Sequence, residues 1–230
     1  MIISVIKPSV EILDNIDGEE MLKKIELAGR TCYKSEERIT EKSAVAFVAA
    51  RIKQGHESIL EHEKVTVRVI CDRGVSHQLV RHRIASYSQE STRYCDYNKW
   101  GKVTFILPPW CKNILPGVYS EAYISKIMYD TLEKSAERMW LWGVYTSANH
   151  YAVLREKGWP PEQARTVLPN SLKTEIVITQ NLRSWRHFFR ERTALAAHPQ
   201  MREIALPLLN LFHQKLPVVF DDFFKAKGVE

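Results

Sequence analysis

The chain has 230 residues, 45% of them hydrophobic and 26% charged, with a formal net charge of +6. That is enough for one domain with a real core, and the ordinary apolar and charged balance excludes fibrous, low-complexity or disordered classes. No apolar run reaches membrane-spanning length, so a membrane partner is not expected.

The first residues, Met1 to Pro8, are broken by charge and proline too early for a signal peptide, and Ile2 to Ile6 reads as a short strand. Leu22, Ile25 and Leu27 give Glu19 to Arg30 helical spacing, with Ala28 and Gly29 expected to close it. Glu41 to Gln54 reads as a second helix, with Thr40 as its cap and Gly55 as its stop. Lys64 to Cys71 alternates, placing Val65, Val67, Val69 and Cys71 on one face of a half-buried strand. Asp72-Arg73-Gly74 reads as a turn, after which Ser76 caps a short helix running to about Arg83. On that helix Gln78 would face Arg81 and His82 at three- and four-residue spacing.

Val103 to Leu107 reads as a strand stopped by Pro108-Pro109. Tyr119 to Lys157 is mainly helical in pattern, with Met128, Leu132, Met139, Trp140, Trp142 and Tyr145 as core candidates. Gly158 ends it, and Pro160-Pro161 opens a helix carrying Arg165. Leu172 to Thr179 is a third long strand with Leu172, Thr174, Ile176 and Ile178 on one face. Helices follow over Asn181 to Arg192 and about Pro199 to Lys215. Few strands joined by long helical excursions predict an α+β fold, a mostly antiparallel central sheet flanked by helices, in a single domain spanning 1–230. No Gly-x-Gly-x-x-Gly follows any strand, which leaves a Rossmann fold without support.

Four cysteines, Cys32, Cys71, Cys95 and Cys111, lie too far apart for a disulfide framework or a zinc site, and a cytoplasmic setting is expected. His56-Glu57 and Glu61-His62 lack the spacing of a zinc helix, so no metal is expected. The chemistry-bearing run is Arg81 to Tyr94, Arg-His-Arg-Ile-Ala-Ser-Tyr-Ser-Gln-Glu-Ser-Thr-Arg-Tyr. Arginines offer planar donors to phosphates and carbonyl edges, and the hydroxyls of Ser86, Ser88, Ser91 and Thr92 add small donors beside them. This combination suggests recognition of a phosphorylated small molecule. The rival is a nucleic-acid-binding protein using Arg81, Arg83 and Arg93 on phosphates. Bases interleaved with acids, as in Arg190-Glu191-Arg192, argue against it, because such binders concentrate charge on one face.

Arg81-His82-Arg83, seven residues and then Ser91 resemble the signature of the flavin-dependent thymidylate synthases. Four further blocks resemble that family in order. They are Gly29 to Tyr33, Gly55 to His62, Ala164 to Pro169, and Asn181 to Ser184 with Arg192, His198 and Gln200. The resemblance implies conversion of dUMP to dTMP, with the carbon from 5,10-methylenetetrahydrofolate and reducing equivalents from NADPH through FAD. It implies a homotetramer whose active sites form at subunit interfaces.

The same resemblance assigns Gln78, Arg81, Gln89, Ser91, Arg93, Arg165 and Arg192 to the nucleotide. It assigns Ser58, Glu61, Arg81, His82, Arg83, Ser88, Asn181, Arg183, His187 and His198 to FAD. Arg81 and Arg192 are the candidates to stabilise negative charge building on the uracil ring. The chain departs from the family pattern at Ser88-Gln89, where Asn-Glu is common, and Gln89 cannot serve as a base. It departs also at Cys32, at His187, and in the length between Arg192 and His198.

Overall fold

A computed structural model describes residues 1–129 and 135–225. In chain order the strands are β1 (Ile2–Ile6), β2 (Ser9–Ile12), β3 (Lys64–Asp72), β4 (Ser86–Gln89), β5 (Lys102–Ile106), β6 (Gly117–Tyr119) and β7 (Lys173–Asn181). The helices are α1 (Gly18–Thr31), α2 (Ser43–Lys53), α3 (Arg73–Leu79), α4 (Glu121–Tyr129), α5 (Ala136–Glu156), α6 (Pro161–Ala164), α7 (Leu182–Arg192), α8 (Pro199–Lys215), α9 (Pro217–Phe220) and α10 (Asp222–Lys225). The α+β class expected from the pattern is the one found. Its strands form two sheets, ordered β5-β1-β6 and β2-β3-β7-β4.

The chain divides into two compact units, one of residues 1–9, 70–80 and 88–176 and the other of 10–69, 81–87 and 177–230. In the first, β1 pairs in parallel with β5, matching Ile3 to Val103 and Val5 to Phe105, and antiparallel with β6. Those four side chains are buried with Leu141, Val144, Ala148 and Tyr151 of α5. In the second unit Trp185, Phe188, Phe189, Phe212 and Phe220 form a buried aromatic cluster with ring centroids 5.1–5.9 Å apart. Burying side chains of that size is worth roughly 1.5–3 kcal/mol each, and it fixes the inner face of α7.

Local sequence explains most boundaries. Asp17 caps α1 by accepting from the backbone N–H of Glu19 and Glu20, both at 3.1 Å. The helix runs on to Thr31 rather than closing at Gly29. That glycine is there for packing, since a Cβ on it would meet the Phe47 ring at 2.6 Å. Gly55, at φ +75°, ends the α2 segment as expected. Thr40 is not the cap of α2; Ser43 Oγ accepts from the Thr40 backbone N–H at 2.9 Å.

The expected turn at Asp72-Arg73-Gly74 is instead the start of α3. The Asp72 carboxylate accepts from the Val75 N–H at 2.6 Å and so begins the helix at Arg73, while Ser76 Oγ donates to the Arg73 carbonyl. The helix ends at Leu79, so Arg81, His82 and Arg83 lie beyond it and share no helical face with Gln78. The long helix expected from Tyr119 is preceded by β6 and comprises α4 and α5. Leu132 lies outside the described residues.

Candidate active site

In the second unit, the N-terminus of α7 is set by Asn181, whose side-chain carbonyl accepts from the Ser184 N–H at 2.8 Å. Helical spacing then puts Arg183, His187, Arg190 and Glu191 on the face opposite Trp185, Phe188 and Phe189. This polar face lines a cleft of about 900 Å³, together with Glu61, Arg81, His82, Arg83, Gln180, Asn181 and Arg192. Seven residues expected at the flavin therefore line one cavity: Glu61, Arg81, His82, Arg83, Asn181, Arg183 and His187. Arg192, expected at the nucleotide, joins them.

Carboxylates thread the arginines. Arg183 pairs with Glu61, while Arg190 and the buried Arg186 both bond Glu57. Burial alone would raise the Glu57 carboxyl, but the Arg190 and Arg186 guanidiniums outweigh it and hold it below the usual carboxylate range. Arg186 also donates to Asp222 at 2.6 Å and stacks over Phe223, so it anchors α7 to the C-terminal helices. Arg192 Nε donates to His82 Nε2 at 2.9 Å. Burial, then Arg192 and His187, push the His82 imidazole down to about 4 against a weaker pull from Glu191.

Several lining residues are not among those the sequence pattern points to. Arg190 and Glu191 could have been found from their spacing to Arg183 and His187. Gln180 continues the buried row Thr174, Ile176, Ile178 of β7, a polar residue where the alternation asks for an apolar one. Its Oε1 is buried with no hydrogen-bond partner among the described residues, and it lines the cleft. An unpaired buried acceptor costs about 1–3 kcal/mol, which a ligand donor would offset. Arginines for phosphates, an orphaned acceptor for a ring N–H and a volume of this size suit a large anionic heteroaromatic group such as FAD.

Other expected flavin residues stand elsewhere. Ser58 is exposed and lines a neighbouring cleft of about 360 Å³ with Arg51, His56 and Arg183. Ser88 is exposed on β4, and His198 precedes α8 outside the lining of the larger cleft.

In the first unit, Ser91, Thr92, Arg93 and Arg165 come together. Arg165 Nη1 donates to Thr92 Oγ1 at 2.9 Å, Arg93 lies 3.6 Å from Glu162, and Ser91 Oγ accepts from the Arg93 N–H at 3.3 Å. Gln89 Nε2 donates to Ser76 Oγ at 2.9 Å and to Thr174 Oγ1 at 3.0 Å, so two hydroxyls fix the amide. Glu90 is committed to Lys173 Nζ at 2.6 Å and the Tyr97 hydroxyl at 2.9 Å. Gln78 is half-buried on α3. Among the described residues no cluster of His, Cys, Asp and Glu has the makings of a metal site, and no helix is long and apolar enough to cross a membrane.

The arrangement of strands and helices is that of a solved UMP/dUMP methylase, PolB from Streptomyces cacaoi bound with 5-Br dUMP. The match has a TM-score of 0.73 at 23% identity over 96% of this chain and 97% of the other. Residues 12–218 match the family model described as thymidylate synthase complementing protein. A flavin-dependent thymidylate synthase of Geobacter sulfurreducens is 33% identical over 205 residues, 86% of this chain and 80% of the relative. One of Mycobacterium avium is 33% identical over 222 residues, 94% of this chain and 84% of the relative. The chain belongs to the flavin-dependent thymidylate synthase family.

Proposed function

We propose that the protein methylates dUMP to dTMP as a flavin-dependent thymidylate synthase. It takes its carbon from 5,10-methylenetetrahydrofolate and its reducing equivalents from NADPH, and works in the cytoplasm as a homotetramer with residues 1–230 as one functional domain. The observation that carries this reading is the cationic cleft of the second unit. There Arg81, Arg83, Arg183 and Arg192 converge with two imidazoles and the orphaned Gln180 acceptor. A nucleic-acid footprint is less consistent with arginines that sit in a concavity and are interleaved with Glu57, Glu61 and Glu191.

In this reading Glu61, Arg81, His82, Arg83, Asn181, Arg183 and His187 hold FAD, with Ser58, Ser88 and His198 completing the set. Bound FAD supplies the hydride chemistry, and the protein supplies orientation and charge. The Arg192 and Arg81 guanidiniums stabilise negative charge on the uracil ring as its C5 gains carbanion character. Ser91, Arg93, Arg165 and Gln78 bind the substrate phosphate, and Gln89 hydrogen-bonds the nucleotide through its carbonyl oxygen. Ser91 is read as a binding residue rather than a nucleophile, because the neighbouring Gln89 amide cannot act as its base.

The purified protein is expected to show flavin absorbance that NADPH bleaches, and to form dTMP only when folate and dUMP are both present. A colourless protein that cannot be reconstituted with FAD would sink the reading. Steep, salt-sensitive binding to DNA or RNA by such a protein would favour the rival.

A further inference from the structure

Arg192 ends α7, and His82 lies in the segment after α3. Their side chains meet at the cleft through the 2.9 Å bond from Arg192 Nε to His82 Nε2. A guanidinium has donors and no acceptor, so the imidazole nitrogen it meets must carry the lone pair, and the ring proton sits on Nδ1. The ring is held at its edges by Phe188, with centroids 5.1 Å apart, and by His187, at 5.7 Å. Its backbone is held too, because the Tyr87 hydroxyl donates to the His82 carbonyl at 2.6 Å.

We infer that His82 is a positioning residue for Arg192: its Nε2 takes the Nε–H and so orients the guanidinium toward the nucleotide. The inference rests on the reading of Arg192 as the uracil-facing cation. It goes beyond that reading, in which His82 serves the flavin alone. The geometry explains why an imidazole suits the position. A carboxylate there would pair with the guanidinium and partly cancel the charge needed at the ring. A neutral acceptor fixes the arginine's orientation and leaves its charge and both Nη groups for the ligand. A protonated imidazole would have no lone pair to offer and would add a second positive charge. The groups facing the ring are Arg192, His187, Glu191 and the apolar Phe188, and burial with the first two keeps it neutral.

Two measurements test this. The first is long-range proton–nitrogen correlation on histidine-labelled, FAD-loaded protein. His82 Nε2 should be unprotonated and Nδ1 protonated throughout pH 5–8; a proton on Nε2, or titration in that range, would overturn the inference. The second compares His82→Gln, whose amide oxygen can still accept, with His82→Leu, which cannot. At matched FAD occupancy, read by absorbance, His82→Leu should lower kcat/KM for dUMP by about 100-fold, as misplaced reacting groups do. His82→Gln should recover at least about a tenth of wild-type activity.

Equal impairment of both variants at full occupancy would overturn the inference. So would loss of FAD affinity with dUMP affinity unchanged. Should His82→Leu fail to fold, the tautomer decides. A wild-type protein that bound no flavin would sink the functional reading instead, and the tautomer of its His82 would still report on the bond to Arg192.

Discussion

His82 shows how one side chain ties electrostatics to stability. Its imidazole is held at about 4 in the fold, against an ordinary 6.5. A base with a depressed folded value binds its proton more readily when unfolded. The neutral ring's contribution is therefore complete above about pH 6.5 and is lost as the pH falls toward 4. The ring is only half-buried, so after solvent screening the change is on the order of 1 kcal/mol. Urea midpoints measured from pH 7 to 4 should fall more steeply for the wild type than for His82→Gln; parallel curves would show that His82 does not carry the dependence. Little of this was legible in the sequence. Arg81-His82-Arg83 announced a functional run, but the bond to Arg192 joins residues 110 positions apart, and no local pattern records it. Gln180 was legible in principle, as an amide following Ile176 and Ile178 on the buried face of β7. Gln89 shows the converse: its identity foretold the loss of a base, but not that Ser76 and Thr174 would hold its amide.

Among the elements, those whose side chains alternate or repeat with strong apolar contrast were readable. Strand β3 buries Val65, Val67, Val69 and Cys71 as its alternation predicts, and α8 spans Pro199–Lys215 with the expected bounds. Strand β4 was not readable, because Ser86-Tyr87-Ser88-Gln89 has no apolar alternation and takes its extended form from pairing with β7. The start of α3 differs from the expected one because Asp72 and Ser76 are both capable caps, and the backbone settles that Asp72 accepts.

Caps also bear on the site, since Asn181 both starts α7 and lines the cleft. Asn181→Ala should cost about 1 kcal/mol of stability through loss of the cap and weaken FAD binding as well. Asn181→Asp keeps the cap and should restore the melting temperature. An Asn181→Ala protein with an unchanged melting temperature would refute the capping account, and unchanged FAD affinity would place Asn181 outside the flavin contacts.

For the whole molecule, family membership was legible from five short blocks, and the division of the strands between two sheets was not. Sheet membership depends on partners far along the chain. Parallel pairing of β1 with β5 joins Val5 to Phe105, a relation that two similar apolar strands do not announce. Considered alone, the chain leaves large apolar side chains in water, Leu195 at 86%, Ile84 at 75% and Leu115 at 71% exposure among them. Single exposed apolar residues are ordinary, but Ile84 lines the same cleft as Arg81, His82 and Arg83. Ser58 and His198, assigned to the flavin by resemblance, stand outside that cleft's lining. The proposed homotetramer, with sites formed between subunits, would explain both facts, because a neighbouring copy would cover the apolar positions and supply the missing flavin contacts. On that proposal, light scattering on the FAD-loaded protein should give four times the monomer mass. Dilution or mild urea that dissociates it should release flavin and abolish dTMP formation together. A monomer that retains flavin and full turnover would show that one chain holds the whole site.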